Sequence, residues 1–431
     1  MTSAEERKKL PIGMQTFEEI RRRGYVYIDK TRKIHEMITT GKAYFLSRPR
    51  RFGKSLLVST LNEIFNGSKD LFEGLWIHTS GYEWPRRPVI KISLGGALCK
   101  TPGDIQDYIR EHIEHIADAH GVKVHQNETA PAMRELIRKI SKIGKVAVLI
   151  DEYDKPLTDC LDDPDLYREN RRFLRSFYSI FKEMDEHTHF IFFTGVSKFS
   201  KVGVFSGLNN LKDITMDMRF SDMLGITQKE LESCFSDHIR DAGEKEGLGR
   251  DALLEKIEFW YNGYRFSEED IRVYNPFSTL LFLDQKKFSF HWFETGTPAF
   301  LINLIKETDY DVQNLERLEV SESSFSSYEI ENLAAVPLLF QTGYLTIKDY
   351  DAETGLYTLD YPNFEVRNAF ETLVRIRNKK YYERFLDQER TLYLIGVEFN
   401  ADERNIGDFE MEVLAPAGGP ASAPKKKERD P

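Results

Sequence analysis

No apolar run in the 431-residue chain approaches 18 residues, so no segment reads as a membrane-spanning helix. The stretch Met1 to Lys9 is polar and charged without an apolar centre, and no secretory signal is expected there. Cysteine is scarce. Cys99, Cys160 and Cys234 are odd in number, widely separated and in no metal-ligand spacing. That argues against a disulfide framework or a zinc site and predicts reduced, mostly buried thiols in a cytoplasmic protein. A net positive charge is also missing: Lys+Arg 60 against Asp+Glu 70 leaves -10, so no global field draws the chain to nucleic acid or an anionic membrane. A local basic patch stays open. No internal repeat is found. What is present suits a globular protein: 41% hydrophobic and 30% charged residues, with Phe 30 and Tyr 20 as core material. The length predicts two to four domains.

The most informative stretch is Ser47-Arg48-Pro49-Arg50-Arg51-Phe52-Gly53-Lys54-Ser55. It follows the apolar run Ala43-Tyr44-Phe45-Leu46 and precedes Leu56-Leu57-Val58-Ser59-Thr60-Leu61, which reads as strand, tight loop, helix. Gly-Lys-Ser at the loop-to-helix junction is the layout of a phosphate-binding P-loop (Walker A). Backbone N–H groups at a helix N-terminus face an anion, and the helix dipole favours negative charge there. The candidate cradle is Arg51, Phe52, Gly53, Lys54, Ser55 and Leu56. Lys54 would reach the β- and γ-phosphates of ATP, and the Ser55 hydroxyl would ligate Mg²⁺. The usual opening Gly, five positions before the second, is replaced by Arg48.

A second motif supports the first. Lys145-Val146-Ala147-Val148-Leu149-Ile150 is a continuous apolar run, as expected of a parallel strand buried on both faces, and ends in Asp151-Glu152. Carboxylates at that end lie where open α/β sheets bind ligands. Read as a Walker B, Asp151 holds the Mg²⁺ shell and Glu152 is the catalytic carboxylate that polarises the attacking water, with Lys54 as its catalytic partner. The alternative is an ordinary strand followed by an acidic helix cap. The run Thr188–Thr194 ends in Thr194-Gly195-Val196-Ser197-Lys198. As a sensor strand between the other two, it would turn Thr194 or Ser197 toward the γ-phosphate, with Lys198 a further anion contact. Ser and Thr that merely cap a turn are the competing reading.

Strands alternating with helices argue for a parallel, three-layer α/β sheet of the P-loop NTPase kind. A strand or an extended entry is expected at 25–28 and a strand at 88–94, with helices near 16–23, 31–40, 103–119, 130–142 and 164–184, and Gly41 a C-cap of the second helix. The expected organisation is a P-loop ATPase domain over 10–224, a helical lid over 225–310, a small winged-helix-like unit over 311–360, an α/β remnant over 361–414 and a disordered tail over 415–431. In the lid, Thr227-Gln228-Lys229-Glu230 has the form of a capping box opening a helix to about Ala242.

Ordered motifs across 10–360 resemble the bacterial AAA-ATPase-like proteins, predicted ATPases with a C-terminal PD-(D/E)xK nuclease-like domain. They are Leu10-Pro11-Ile12-Gly13, Tyr27-Ile28-Asp29-Lys30-Thr31, the Ser47–Ser55 loop, Asp151-Glu152-Tyr153-Asp154-Lys155-Pro156, Thr194-Gly195-Val196-Ser197, Gly207-Leu208-Asn209-Asn210-Leu211, Asn262-Gly263-Tyr264 and Tyr274-Asn275-Pro276-Phe277. The resemblance implies that Arg48 in place of Gly is the family pattern. Arg50 or Arg51 would add guanidinium contacts to phosphate, or would only steer nucleotide from the surface. Tyr361–Arg367, Tyr393–Phe399 and Glu403–Ile406 resemble the ends of the nuclease-like domain. The Asp and Glu-x-Lys expected between them are missing, and Asn378–Glu383 reads as helix, so the nuclease core reads as deleted.

The leading functional expectation is therefore Mg²⁺-dependent ATP binding and hydrolysis driving a conformational switch. A catalytically inactive nucleotide-binding scaffold is the alternative, and a nucleic-acid processing enzyme is disfavoured by the missing Glu-x-Lys and the charge. ATP is the one partner the motifs name. A protein or nucleic-acid partner, the oligomeric state and an arginine finger (Arg219 is a candidate) are not specified.

Overall fold

The computed structural model describes residues 7–161, 163–198, 204–205, 207–292, 315–325, 335–370, 392–400 and 405–414. The chain opens with α1 (Phe17–Arg22) and α2 (Thr31–Thr40). The first apolar run becomes β1 (Ala43–Ser47), followed by α3 (Lys54–Asn66). Then come β2 (Val89–Ser93), α4 (Asp104–Ala119), α5 (Thr129–Ile140) and β3 (Val146–Asp151). The short α6 (Lys155–Thr158) and the long α7 (Pro164–Glu183) lead to β4 (Thr188–Gly195) and β5 (Lys212–Asp213). Pro at the first turn and the Asp163 carboxylate, which accepts the Leu166 N–H at 3.1 Å, start α7 where its sequence directs.

These strands make one five-stranded sheet in the order β2-β3-β4-β1-β5, and every pairing is parallel. β4 lies between the P-loop strand and the Asp151 strand, as expected of the sensor strand. Strand alternation divides the core between two layers of helices. Phe45, Ile150, Ile191 and Phe193 pack with buried residues of α4, α5 and α7. Phe190 faces the other way, with its ring 5.2 Å from Phe65 of α3. The register brings the C-terminal strand ends level: Ser47 opposes Gly195, and Asp151 opposes Ser93.

Three local expectations have mixed outcomes. Of the two readings of 25–28, the strand does not form; Tyr25 makes only an isolated bridge to Lys9. Gly41 is the C-cap of α2, as expected; its backbone is extended, and glycine is needed there for space, because a Cβ would lie 2.7 Å from Cζ of Tyr44. The helix expected from Thr227 to Ala242 breaks at buried Phe235 into Gln228–Cys234 and Ser236–Glu246, although the capping box of Thr227 and Glu230 is formed. β5 was not anticipated; two residues are too few to carry a periodic pattern.

Beyond the sheet, the described residues 225–292 are mainly helical. Helices Arg250–Tyr261 and Pro276–Gln285 flank the short antiparallel pair β6 (Tyr264–Arg265) and β7 (Arg272–Val273). A second small sheet joins β8 (Leu318–Ser321), β9 (Thr346–Asp351) and β10 (Leu356–Asp360) in the order β8-β10-β9, with helix Ala335–Thr342 before β9. Residues 367–431 form a separate unit. Its described part is the antiparallel hairpin of β11 (Leu392–Asn400) and β12 (Asn405–Leu414). The helix expected at 378–383 and the tail 415–431 lie outside the described residues. No helix among the described residues is long and apolar enough to cross a membrane.

Candidate functional site

The loop between β1 and α3 is shaped by two left-handed residues, Arg51 at φ 66° and Gly53 at φ 89°. Gly53 is the N-cap of α3 and has open space at its missing Cβ, so backbone conformation is what calls for glycine. Lys54, the first helical residue, folds back and donates from Nζ to the carbonyls of Arg48 and Pro49, each at 2.8 Å. Burial pushes its pKa down to about 8, against the opposing pull of Asp151, Asp154 and Glu152.

Arg48 turns inward. It is 1% exposed, and its guanidinium donates to the carbonyls of Ser47, Thr215 and Phe220 and lies 4.1 Å from the Phe266 ring centre. The position of the usual opening glycine is thus a structural anchor. Phe52 is also turned away, edge-on to Tyr264 and Phe266, so its side chain offers nothing to a phosphate. Arg50 and Arg51 both line the cavity, and Arg51 lies over the Phe277 ring at 4.9 Å.

Across the sheet edge, Asp151 is 4% exposed and lies beside the Ser55 side chain, and it accepts the Glu152 N–H at 2.9 Å. Burial raises its pKa; Ser55 and Lys54 oppose that shift. Glu152 has left-handed backbone at φ 52°. Its carboxyl is raised by burial first and by Asp151 second. Buried Asp154 accepts the N–H and hydroxyl of Ser197 at 2.7 and 2.6 Å and the Val196 N–H at 3.1 Å.

One cavity of about 500 Å³ collects these groups: Arg51, Gly53, Lys54, Ser55, Leu56, Glu152, Asp154 and Ser197 are on its wall. Two further segments close it, Pro11 with Gly13 to Gln15 and Pro276-Phe277 with Leu280. Asp151 sits behind that wall on Ser55. Thr194 does not reach it, which corrects the expectation of a phosphate-facing hydroxyl: the side chain is fully buried and donates to the Leu46 carbonyl at 2.9 Å. Lys198 is drawn to Asp213 at 3.3 Å. Arg219 is paired with Asp217 at 2.6 Å and is not on the cavity wall.

Sequence reasoning missed Asp154, Gly95 and the two closing segments as parts of the cavity. Asp154, Pro11 and Pro276 stood inside recognised motifs, yet only the fold brings 11–15 and 276–280 to the same cavity. Ser55 on the wall and Asp151 behind it supply hard oxygen donors, a pair suited to Mg²⁺ held together with nucleotide phosphates.

The family model for predicted AAA-ATPases matches residues 11–205, which span the loop, both carboxylate positions and the turn after β4. An uncharacterized protein of the vnfD 5' region of Azotobacter chroococcum mcd 1 is 43% identical over 377 residues, covering 86% of this chain and 70% of that protein. No solved structure matches the chain. With a parallel sheet, a Gly-Lys-Ser loop at a helix start and paired carboxylates on the neighbouring edge, the chain belongs to the predicted AAA-ATPase family.

Proposed function

We propose that the chain binds ATP with Mg²⁺ in this cavity and hydrolyses it, and that the cycle shifts the helical region against the sheet. One observation carries the reading: Lys54 and Ser55 of α3, Glu152 after β3 and Ser197 after β4 open onto one cavity at the C-terminal edge of a parallel sheet. Lys54 exchanges its two loop carbonyls for β- and γ-phosphate oxygens. Ser55 and Asp151 would hold Mg²⁺, which when bound would offset phosphate charge. Glu152 accepts a hydrogen bond from a water molecule. The water oxygen bonds to the γ-phosphorus as the bond from that phosphorus to the β–γ bridging oxygen breaks. ADP and inorganic phosphate result; one water proton stays on the phosphate and the other leaves through Glu152. Ser197 lines the cavity with its hydroxyl proton on Asp154, and donates to the γ-phosphate only by turning away from that carboxylate.

The switch reading is supported by contacts from the nucleotide loops to the region beyond the sheet. The Lys198 N–H donates to Oε1 of Gln341 at 2.6 Å, and Phe52 packs on Tyr264 and Phe266. Equilibrium binding of a fluorescent ATP analogue to wild type and Lys54→Ala tests the first step. Wild-type binding that the substitution weakens at least about tenfold agrees with one charge-assisted phosphate contact. Equal binding by both proteins contradicts it.

A further inference from the structure

Gly95 belongs to the short 3-10 turn Leu94–Gly96 that follows β2, beside the end of β3. Its φ is outside the left-handed region, so its backbone does not call for glycine. Space does. A Cβ on residue 95 would lie 2.9 Å from Cδ of Glu152 and closer still to Oε2, while the next neighbour, Oγ of Ser93, is at 3.5 Å. The Glu152 carboxylate therefore occupies the volume that any larger residue would fill. The turn beneath it is braced: the Tyr108 hydroxyl donates to the Ser93 carbonyl at 3.0 Å, and Oγ of Ser93 accepts the Gly95 N–H at 3.4 Å. From the other side the left-handed backbone of Glu152 sets where its side chain leaves the chain.

We propose that Gly95 is a positioning residue for Glu152, its missing side chain being the seat that holds the carboxylate at the wall of the nucleotide cavity. The inference rests on the reading of Glu152 as the water-polarising group. Gly195, at the end of β4, provides a contrast. A Cβ there would press within 2.7 Å of the Tyr153 ring and closer to Asp154, both buried and fixed, so substitution strains the core. At Gly95 the clash falls on the mobile end of a side chain, so the fold survives and the aim of Glu152 changes.

The test is steady-state ATP hydrolysis by the full chain, wild type beside Gly95→Ala, Glu152→Gln, Glu152→Ala and the double variant Gly95→Ala/Glu152→Ala. Gly95→Ala is expected to lower kcat about tenfold to hundredfold, the scale of a misplaced reacting group, with KM and melting temperature near wild type. In the Glu152→Ala background it is expected to change nothing further. Glu152→Asp, which withdraws the carboxylate while keeping the glycine, is expected to lose kcat in the same way. Wild-type kcat in Gly95→Ala alongside loss in Glu152→Gln overturns the positioning role alone, as does an equal loss in the Glu152→Ala background. Wild-type kcat in Glu152→Gln overturns both this inference and the function on which it rests.

Discussion

Asp154 holds Ser197 by two hydrogen bonds, to its N–H at 2.7 Å and from its hydroxyl at 2.6 Å, and so ties the end of β3 to the turn after β4. Removing the carboxylate leaves the N–H groups of Val196 and Ser197 without that acceptor. Asp154→Ala is expected to cost roughly 2–4 kcal/mol, the range for stranding buried donors of a charged acceptor, and to lower ATP turnover. Urea unfolding and a turnover assay check both. A wild-type unfolding midpoint would contradict the role assigned to the pair.

With Lys54 as the proposed phosphate ligand, nucleotide affinity is expected to depend on alkaline pH. Its pKa is pushed down to about 8 by burial, with Asp151, Asp154 and Glu152 pulling it back up and Arg50 adding to the fall. Below that value the ammonium is present for phosphate, and above it the charge is lost, so affinity falls by up to about tenfold per pH unit. Stability without nucleotide moves the other way. Between about 8 and 10.5 the unfolded chain holds a proton at this site that the folded chain has released, so folding stability rises with pH across that window. Calorimetry at pH 8.5 in two buffers of different ionisation enthalpy should show proton uptake on ATP binding. Identical heats in the two buffers would contradict this.

Arg48 should behave as a core residue despite its place in the phosphate loop. Arg48→Gly, which restores the common loop pattern, removes the donors to Ser47, Thr215 and Phe220 and the contact with Phe266. The expected loss is about 3–5 kcal/mol, as for other large-to-small changes in packed interiors. Arg48→Lys should not recover it, because one ammonium cannot match a planar fork of donors. A loss under about 1 kcal/mol in urea unfolding would show that the loop does not need the anchor.

The sheet was readable because strands buried on both faces must be nearly continuous apolar runs, and those ending at Leu46, Ile150 and Thr194 are. The loop was readable because few patterns place Gly, Lys and Ser at a strand-to-helix junction. Side-chain direction was not. Nothing local distinguishes Arg48 turned into the core from Arg51 on the cavity wall, or Thr194 bonded to Leu46 from Ser197 lining the cavity. The role of Asp154 was hidden because the turn that it caps lies more than 40 residues along the chain. Gly95 was hidden because its importance comes from a neighbour's carboxylate and leaves no mark on its own strand.

The most direct test of a working ATPase compares wild type with Glu152→Gln for ATP turnover and for retention of bound nucleotide. The account predicts turnover by the wild type, loss of turnover in the variant, and ATP retained intact by the variant. Turnover at the wild-type rate in Glu152→Gln, or no ATP bound by either protein, would contradict it.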